Sequence, residues 1–338
     1  MSGLINPQMD GLLEDTSRSF FLTLKMLPKR IRGQVGHLYL MARVADTIAD
    51  TKTGSAEQLI EALKSYDAVA QGQSNDLPDF SEIADLQGHA GEKRLLQNVD
   101  NVIAALDQFK DDDKKLIRKC LGIIIGGQTL DLKRFGPANE SGSISALQEP
   151  EELDDYAYRV AGSVGDFWTS MTLTHLINLN PQEKEKMFEL GVRFGKALQM
   201  INILRDIPED LRFGRCYIPA DSLAEFNLEG ADLLDLENME KFQPLYNELL
   251  DVTSAHLDAA VEYISLLPYW QFRLRSACML PVLIGQKTVN LLRVENVLDG
   301  EKRVKVLRPE IKKIMRKTVL SVFIPGGGLR LLNKNRNA

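Results

Sequence analysis

The chain is poor in the residues on which many chemistries depend. Its three cysteines (Cys120, Cys216, Cys278) are odd in number, far apart and in no CxxC arrangement. That excludes a disulfide framework and a thiolate metal site, and leaves them as small packed hydrophobes of a reducing compartment. The four histidines (His37, His89, His175, His256) show no HExxH or other zinc spacing, so each is expected to be structural. GxSxG is absent, and the one GGG, at 326–328, follows no strand-like run, so a Rossmann or P-loop fingerprint is not expected. No apolar run approaches the ~18 residues of a membrane span. The N-terminus lacks both a basic n-region and a sustained apolar core, which argues against a signal peptide and for a cytoplasmic protein. Net charge is −6 and aromatics make up 7 %; with no interleaving of basic and aromatic residues, nucleic-acid binding is disfavoured.

What is present is an ordinary globular composition, 44 % hydrophobic and 26 % charged over 338 residues, in which apolar residues recur at helical spacing. The pattern predicts helices over about 28–51, 56–70, 93–109, 112–134, 151–178, 182–206, 240–265, 271–296 and 308–322. Asp154 or Asp155 is the expected start signal of the helix carrying YAYRVAGSVG. The expectation is an all-α chain forming a single domain over 1–338, with a basic, flexible tail at 323–338. Residues 301–338 hold eleven Lys and Arg against two Glu, so the rest of the chain carries −15. Two readings of that tail stand side by side: a segment lying peripherally on an anionic membrane face, or a final helix with a solubilising end.

Two aspartate pairs carry the chemistry. Asp46 and Asp50, then Asp206 and Asp210, are each four residues apart and end the apolar runs LYLMARVAD and ALQMINILRD. On a helix, Tyr39, Arg43, Asp46 and Asp50 fall within about 60° of one another, and Gln199, Asn202, Asp206 and Asp210 within about 80°. Isolated buried carboxylates are unfavourable unless paired with cations or metal, and oxygen donors of this kind suit Mg²⁺ shared with a phosphate. A single acidic pair at this spacing is more often a solvated surface; two matching pairs with apolar run-ins shift the balance to a site. Pro208 should end or bend the second helix just past Asp206, leaving Glu209 and Asp210 at a mouth. The small residues Ala161, Gly162, Ser163 and Gly165 fit close helix packing and ligand approach equally well.

Five segments, TSRSF (16–20), YLMARVADTIAD (39–50), YAYRVAGSVG (156–165), GKALQMINILRDIPEDLRFGRCYIP (195–219) and ACMLP (277–281), together resemble the trans-isoprenyl diphosphate synthases of the squalene/phytoene synthase family, its squalene-forming branch above all. The resemblance implies a single-domain, all-α isoprenoid synthase fold, with helices around a central hydrophobic channel and the aspartate motifs facing each other at its mouth. It implies that Asp46, Asp50, Asp206 and Asp210 hold Mg²⁺ against the diphosphates of two farnesyl diphosphate molecules. Arg18, Ser19, Arg43, Arg205 and Arg215 would contact diphosphate oxygens. Tyr39, Tyr156, Gln199 and Asn202 would line the reaction centre, with Tyr156 steadying cations or relaying a proton. Ala49 departs from the family pattern, standing where a glutamate is common. RVKVLRPEIKK (303–313) is similar to the family segment near NADPH, making Lys305 and Arg308 candidates for the cofactor phosphate. The activity so implied is head-to-head condensation through presqualene diphosphate, then NADPH-dependent reduction to squalene, by a monomer. Three alternatives remain at this stage: a phytoene or dehydrosqualene synthase, an enzyme stopping at presqualene diphosphate, and, more remotely, a non-catalytic helical assembly protein.

Overall fold

Side chains set the starts of two long helices of this chain. Ser55 accepts from the Gln58 backbone N–H (3.3 Å) while the Gln58 side chain accepts from the Ser55 N–H (2.9 Å), and the helix Ala56–Ala70 follows. Asn180 and Glu183 repeat the exchange (2.9 and 3.1 Å) ahead of Pro181–Arg205, with Pro181 in the first turn. Each capping box satisfies two backbone donors that the helix would otherwise leave open.

The computed structural model describes residues 6–17, 20–52, 54–137 and 143–336. It is all-α; among the described residues the one sheet is a two-residue parallel pair, Ser145–Ala146 with Arg215–Cys216. No described helix is long and apolar enough to cross a membrane. The described residues gather into two compact units, one made of those up to 137 with 170–176, the other of 143–169 with 177–336. The helix Ser163–His175 is divided between them after Thr169.

In the first unit, helices Lys29–Ala49, Ala56–Ala70 and Asp111–Phe135 pack on one another. Leu38, Met41, Ala45, Leu63, Leu121 and Leu132 are among the buried side chains. Tyr66, fully buried, donates its hydroxyl to the Met41 carbonyl (3.0 Å). His37 is fully buried against Phe109 (ring centroids 5.3 Å), and neither ring nitrogen has a hydrogen-bond partner among the described residues. Burial lowers its pKa to about 4. The unfolded chain therefore takes up this proton below its ordinary value of about 6.5 while the folded chain does not. Stability from this site is full above that value and falls as pH drops toward 4, by about 3 kcal/mol in all. His37→Leu is expected to flatten that part of the stability–pH curve in urea melts between pH 7 and 5; an unchanged slope would remove His37 as its source.

In the second unit, Pro181–Arg205 and Met239–Leu266 lie along each other, and Phe272–Leu292 packs on both. Tyr246 donates to the Leu204 carbonyl (3.0 Å) from a buried position. Glycines allow a closer approach. A Cβ on Gly165 would overlap the Gly191 carbonyl, and one on Gly195 the Ala161 carbonyl. Close helix packing therefore accounts for the small residues of YAYRVAGSVG.

Three expectations need correction. The stretch predicted as one helix over 93–109 is broken into Ala90–Leu96, Val99–Ala104 and a 3₁₀ turn Ala105–Gln108. Asn98 sits at the break, donating its amide to the Arg94 carbonyl (2.7 Å) and competing with the backbone ladder. The helix expected to start at Asp154 or Asp155 starts at Pro150, whose fixed φ suits a first turn, while Asp154 faces Lys196 (2.7 Å). It also does not run evenly to 178, because Tyr158–Gly162 forms a wide π turn. Finally, residues 327–336, expected within a flexible tail, form the helix Gly327–Arg336, which packs on Phe272–Leu292 with Leu332 fully buried.

Candidate active site

The Lys29–Ala49 helix ends at the first pair, with Asp50 as its cap and the Asp50 N–H on the Asp46 carbonyl (2.9 Å). Asp46 lies between Arg43 (3.7 Å) and the amide of Gln128, which donates to it, and Arg43 also binds Glu92. One turn below, Tyr39 donates to the Thr16 carbonyl (3.0 Å). Desolvation pushes the Asp46 carboxyl up, Arg43 pulls it down and Asp50 pushes it up again. With 43 % of the side chain open to solvent, water screens much of that shift. Burial opposes the charge of Arg43, but Asp46 and Glu92 outweigh it and keep the guanidinium protonated. Arg18 and Ser19, implied as diphosphate contacts, lie outside the described residues.

The second pair sits where Pro181–Arg205 gives way to the short helix Ile207–Arg212, with Pro208 in its first turn as expected. Asp206 is only 16 % exposed and held from two sides. Arg205 grips it with two donors, Nε on one oxygen (2.8 Å) and Nη2 on the other (2.5 Å). Arg303 reaches the same carboxylate through Nε (3.0 Å) and Nη2 (2.8 Å), and touches Glu209 through Nη1 (3.2 Å). The hydrogen bond to Asp206 raises the pKa of Arg205 and secures its charge. Along the same helix Gln199 is half-buried and Asn202 exposed.

Tyr156 stacks on Tyr217, ring centroids 4.7 Å apart and 19° from parallel. The parallel clip explains the pairing: Ser145 and Leu147 donate to the carbonyls of Gly214 and Cys216 (2.9 and 3.0 Å), which fixes the segment bearing Arg215 and Tyr217. Lys305 and Arg308 are exposed. Along 303–307 burial alternates, Val304 and Val306 inward and Arg303, Lys305 and Leu307 outward, so Lys305 emerges on the side from which Arg303 reaches Asp206. Neither Lys305 nor Arg308 forms an ion pair with a described residue.

Gln128, Arg303 and Tyr217 have no counterpart among the residues read from sequence. The signal for Gln128 was a lone amide inside the apolar run IIIGGQTLDL. For Arg303 it was the alternating RVKVL, whose outward positions are all basic or exposed.

Each aspartate pair is thus a carboxylate matched by guanidinium at the end of an apolar helix. Among the described residues no three His, Cys, Asp or Glu side chains gather to hold a metal ion by themselves. A cation drawing much of its coordination from a substrate diphosphate fits that donor set, and Mg²⁺ is of that kind.

Residues 13–310 match the family model described as squalene/phytoene synthase. The chain is 29 % identical over 260 residues to a bifunctional lycopene cyclase/phytoene synthase of Pyrenophora tritici-repentis, covering 76 % of this chain and 41 % of that protein. It is 26 % identical over 291 residues to a squalene synthase of Eremothecium gossypii, covering 83 % of this chain and 60 % of that one. The chain therefore spans less than two thirds of the length of these relatives. Its fold matches a solved structure of ligand-bound TcSQS with a TM-score of 0.77, at 18 % identity, over 97 % of this chain and 90 % of that one. Motifs, all-α isoprenoid synthase fold and matched length agree, and the chain belongs to the squalene/phytoene synthase family.

Proposed function

We propose that this protein condenses two molecules of farnesyl diphosphate head to head to presqualene diphosphate, and reduces that product to squalene. The observation that carries the reading is the repeated cluster of carboxylate and guanidinium, Asp46 with Arg43 and Asp206 with Arg205 and Arg303. Mg²⁺, held by Asp46, Asp50, Asp206 and Asp210, would neutralise the diphosphate as it leaves. Arg43, Arg205 and Arg215 would offer guanidinium forks to the diphosphate oxygens.

Loss of diphosphate from one substrate breaks its C1–O bond and leaves an allylic cation. The C2–C3 double bond of the second substrate attacks that carbon, and loss of a proton closes the cyclopropane. The stacked rings of Tyr156 and Tyr217 would stabilise the cation through their π faces. The Tyr156 hydroxyl would pass the released proton to diphosphate or water. Apolar surroundings would keep water from trapping the cations as alcohols. In the second stage presqualene diphosphate would lose its own diphosphate, and NADPH, bound through Lys305 and Arg308, would supply the hydride that quenches the rearranged cation. Their exposure and lack of ion pairs with described residues support that role.

Tyr156→Phe keeps the ring stack and removes the hydroxyl. Formation of presqualene diphosphate is expected to slow about 100-fold, with substrate affinity little changed. Wild-type turnover in this variant would take the proton away from Tyr156.

A second reading is favoured by the phytoene synthase named among the relatives: a sister activity that finishes by proton loss without a hydride. Both readings require Mg²⁺-dependent release of diphosphate, measured directly with farnesyl diphosphate and a phosphate-coupled assay. Release at a catalytic rate supports an enzyme; binding without release would make the chain a helical assembly protein.

A further inference from the structure

Exposed aliphatic side chains are scattered over the second unit, at Leu234, Leu236, Val252, Val294 and Leu307, but its exposed aromatic ones gather at one place. Between helices 239–266 and 272–292, Tyr269 and Trp270 protrude from a short turn, Trp270 at 72 % exposure, and Phe272 follows. At the end of helix Arg308–Ser321, Leu320 (68 % exposed), Phe323 and Ile324 protrude likewise. The two groups form one patch. The Tyr269 hydroxyl donates to the Phe323 carbonyl (2.8 Å), and the rings of Phe272 and Phe323 lie 5.3 Å apart.

The patch is built rather than loose. Buried Arg275 donates from Nη1 to the carbonyls of Ile264 (3.0 Å) and Leu267 (2.8 Å), capping helix 239–266 and fixing the turn. The Gln271 N–H closes that turn on the Pro268 carbonyl (3.0 Å). Exposing such a cluster to water is unfavourable, and a contiguous apolar patch with a polar rim marks a contact surface.

The rim identifies the partner. Along helix 308–321, Arg308, Lys312 and Arg316 recur every four residues and, with Val319, fall within about 80° of arc. None of these three cations forms an ion pair with a described residue. One helix face thus runs from basic to apolar over about 12 Å, from Lys312 to Leu320. That is the profile of a helix tip entering the acyl boundary of a bilayer while its cations meet the headgroups. Residues 301–338 carry +9 against −15 for the remainder, so an anionic surface attracts this end and repels the rest. A second copy would set basic rim against basic rim.

We propose that the patch formed by Tyr269, Trp270, Phe272, Leu320, Phe323 and Ile324, with the basic Lys312 and Arg316 beside it, docks the protein on an anionic lipid bilayer. This surface is distinct from the helix 327–336, which is packed against the fold, and does not depend on which reaction the aspartate clusters perform.

The test is flotation of the full chain with phosphatidylcholine vesicles with and without phosphatidylserine. Binding is expected to need phosphatidylserine, to weaken with salt, and to fall about fivefold for each unit of charge removed in Lys312→Glu/Arg316→Glu. Trp270→Ser/Phe323→Ser should lower vesicle partition about tenfold or more, with melting temperature and diphosphate release unchanged. The chain has two tryptophans, and the emission lost in Trp270→Phe should be the part that shifts blue on vesicles. No binding to phosphatidylserine vesicles would overturn the proposal, as would binding indifferent to both double substitutions. A concentration-dependent dimer abolished by Trp270→Ser/Phe323→Ser, without vesicle binding, would assign the patch to a second copy and overturn it equally.

Discussion

Asp206→Asn is expected to reduce the rate of diphosphate release by about 10³-fold, the largest catalytic effect of any single substitution in the chain. The side chain keeps its shape but loses the charge that Arg205 and Arg303 now share from two sides. In the proposed reaction the carboxylate has two successive tasks. It holds the two guanidiniums in place before substrate arrives, and it would hold Mg²⁺ once a diphosphate takes the guanidiniums. An asparagine performs neither well. The apparent Mg²⁺ requirement should rise together with the loss of rate. Near-normal turnover at ordinary Mg²⁺ would make Asp206 a structural ion-pair residue.

A large effect on stability is expected from Gly195→Ala. Its new methyl group would coincide with the Ala161 carbonyl across the contact between helix 181–205 and the π turn, where only backbone could move. Overpacking usually costs about 1–3 kcal/mol, and a clash with rigid backbone belongs at or above the upper end. Gly162→Ala is the matched control. Its Cβ would meet side chains only, Tyr158 Cδ2 at 3.1 Å, Val192 Cγ1 at 3.3 Å and Lys196 Cγ at 3.4 Å, which can shift. Thermal melts should therefore rank wild type, Gly162→Ala and Gly195→Ala in falling order. A Gly195→Ala protein that melts like wild type would show that the helices separate at little expense.

These effects also show which features were legible in sequence. Helices with their own caps and a clear apolar stripe were readable nearly to the residue, as at 56–70 and 181–205, because local hydrogen bonds define their ends. The aspartate stripes were readable for the same reason: a period of 3.6 places Asp46 by Arg43 and carries Asp206 to a helix end whatever the rest of the chain does. Features made by distant residues were not. The break at Asn98 depends on a side chain choosing the Arg94 carbonyl, and on Gln8, which donates to it (2.8 Å) from far along the chain. The π turn at 158–162 lies where a neighbouring helix comes unusually near. Arg303 is 97 residues from Asp206, and nothing local marks it as that partner. The apolar patch was not legible because Tyr269 and Phe272 meet Phe323 only after folding.

The identity of the product decides between the two readings of this chain. Labelled farnesyl diphosphate and Mg²⁺, incubated with and without NADPH and resolved by chromatography, test it most directly. Squalene is expected only with NADPH, with presqualene diphosphate building up in its absence. Dehydrosqualene or presqualene diphosphate as the end product regardless of NADPH would contradict the reductive half and free Lys305 and Arg308 of their role.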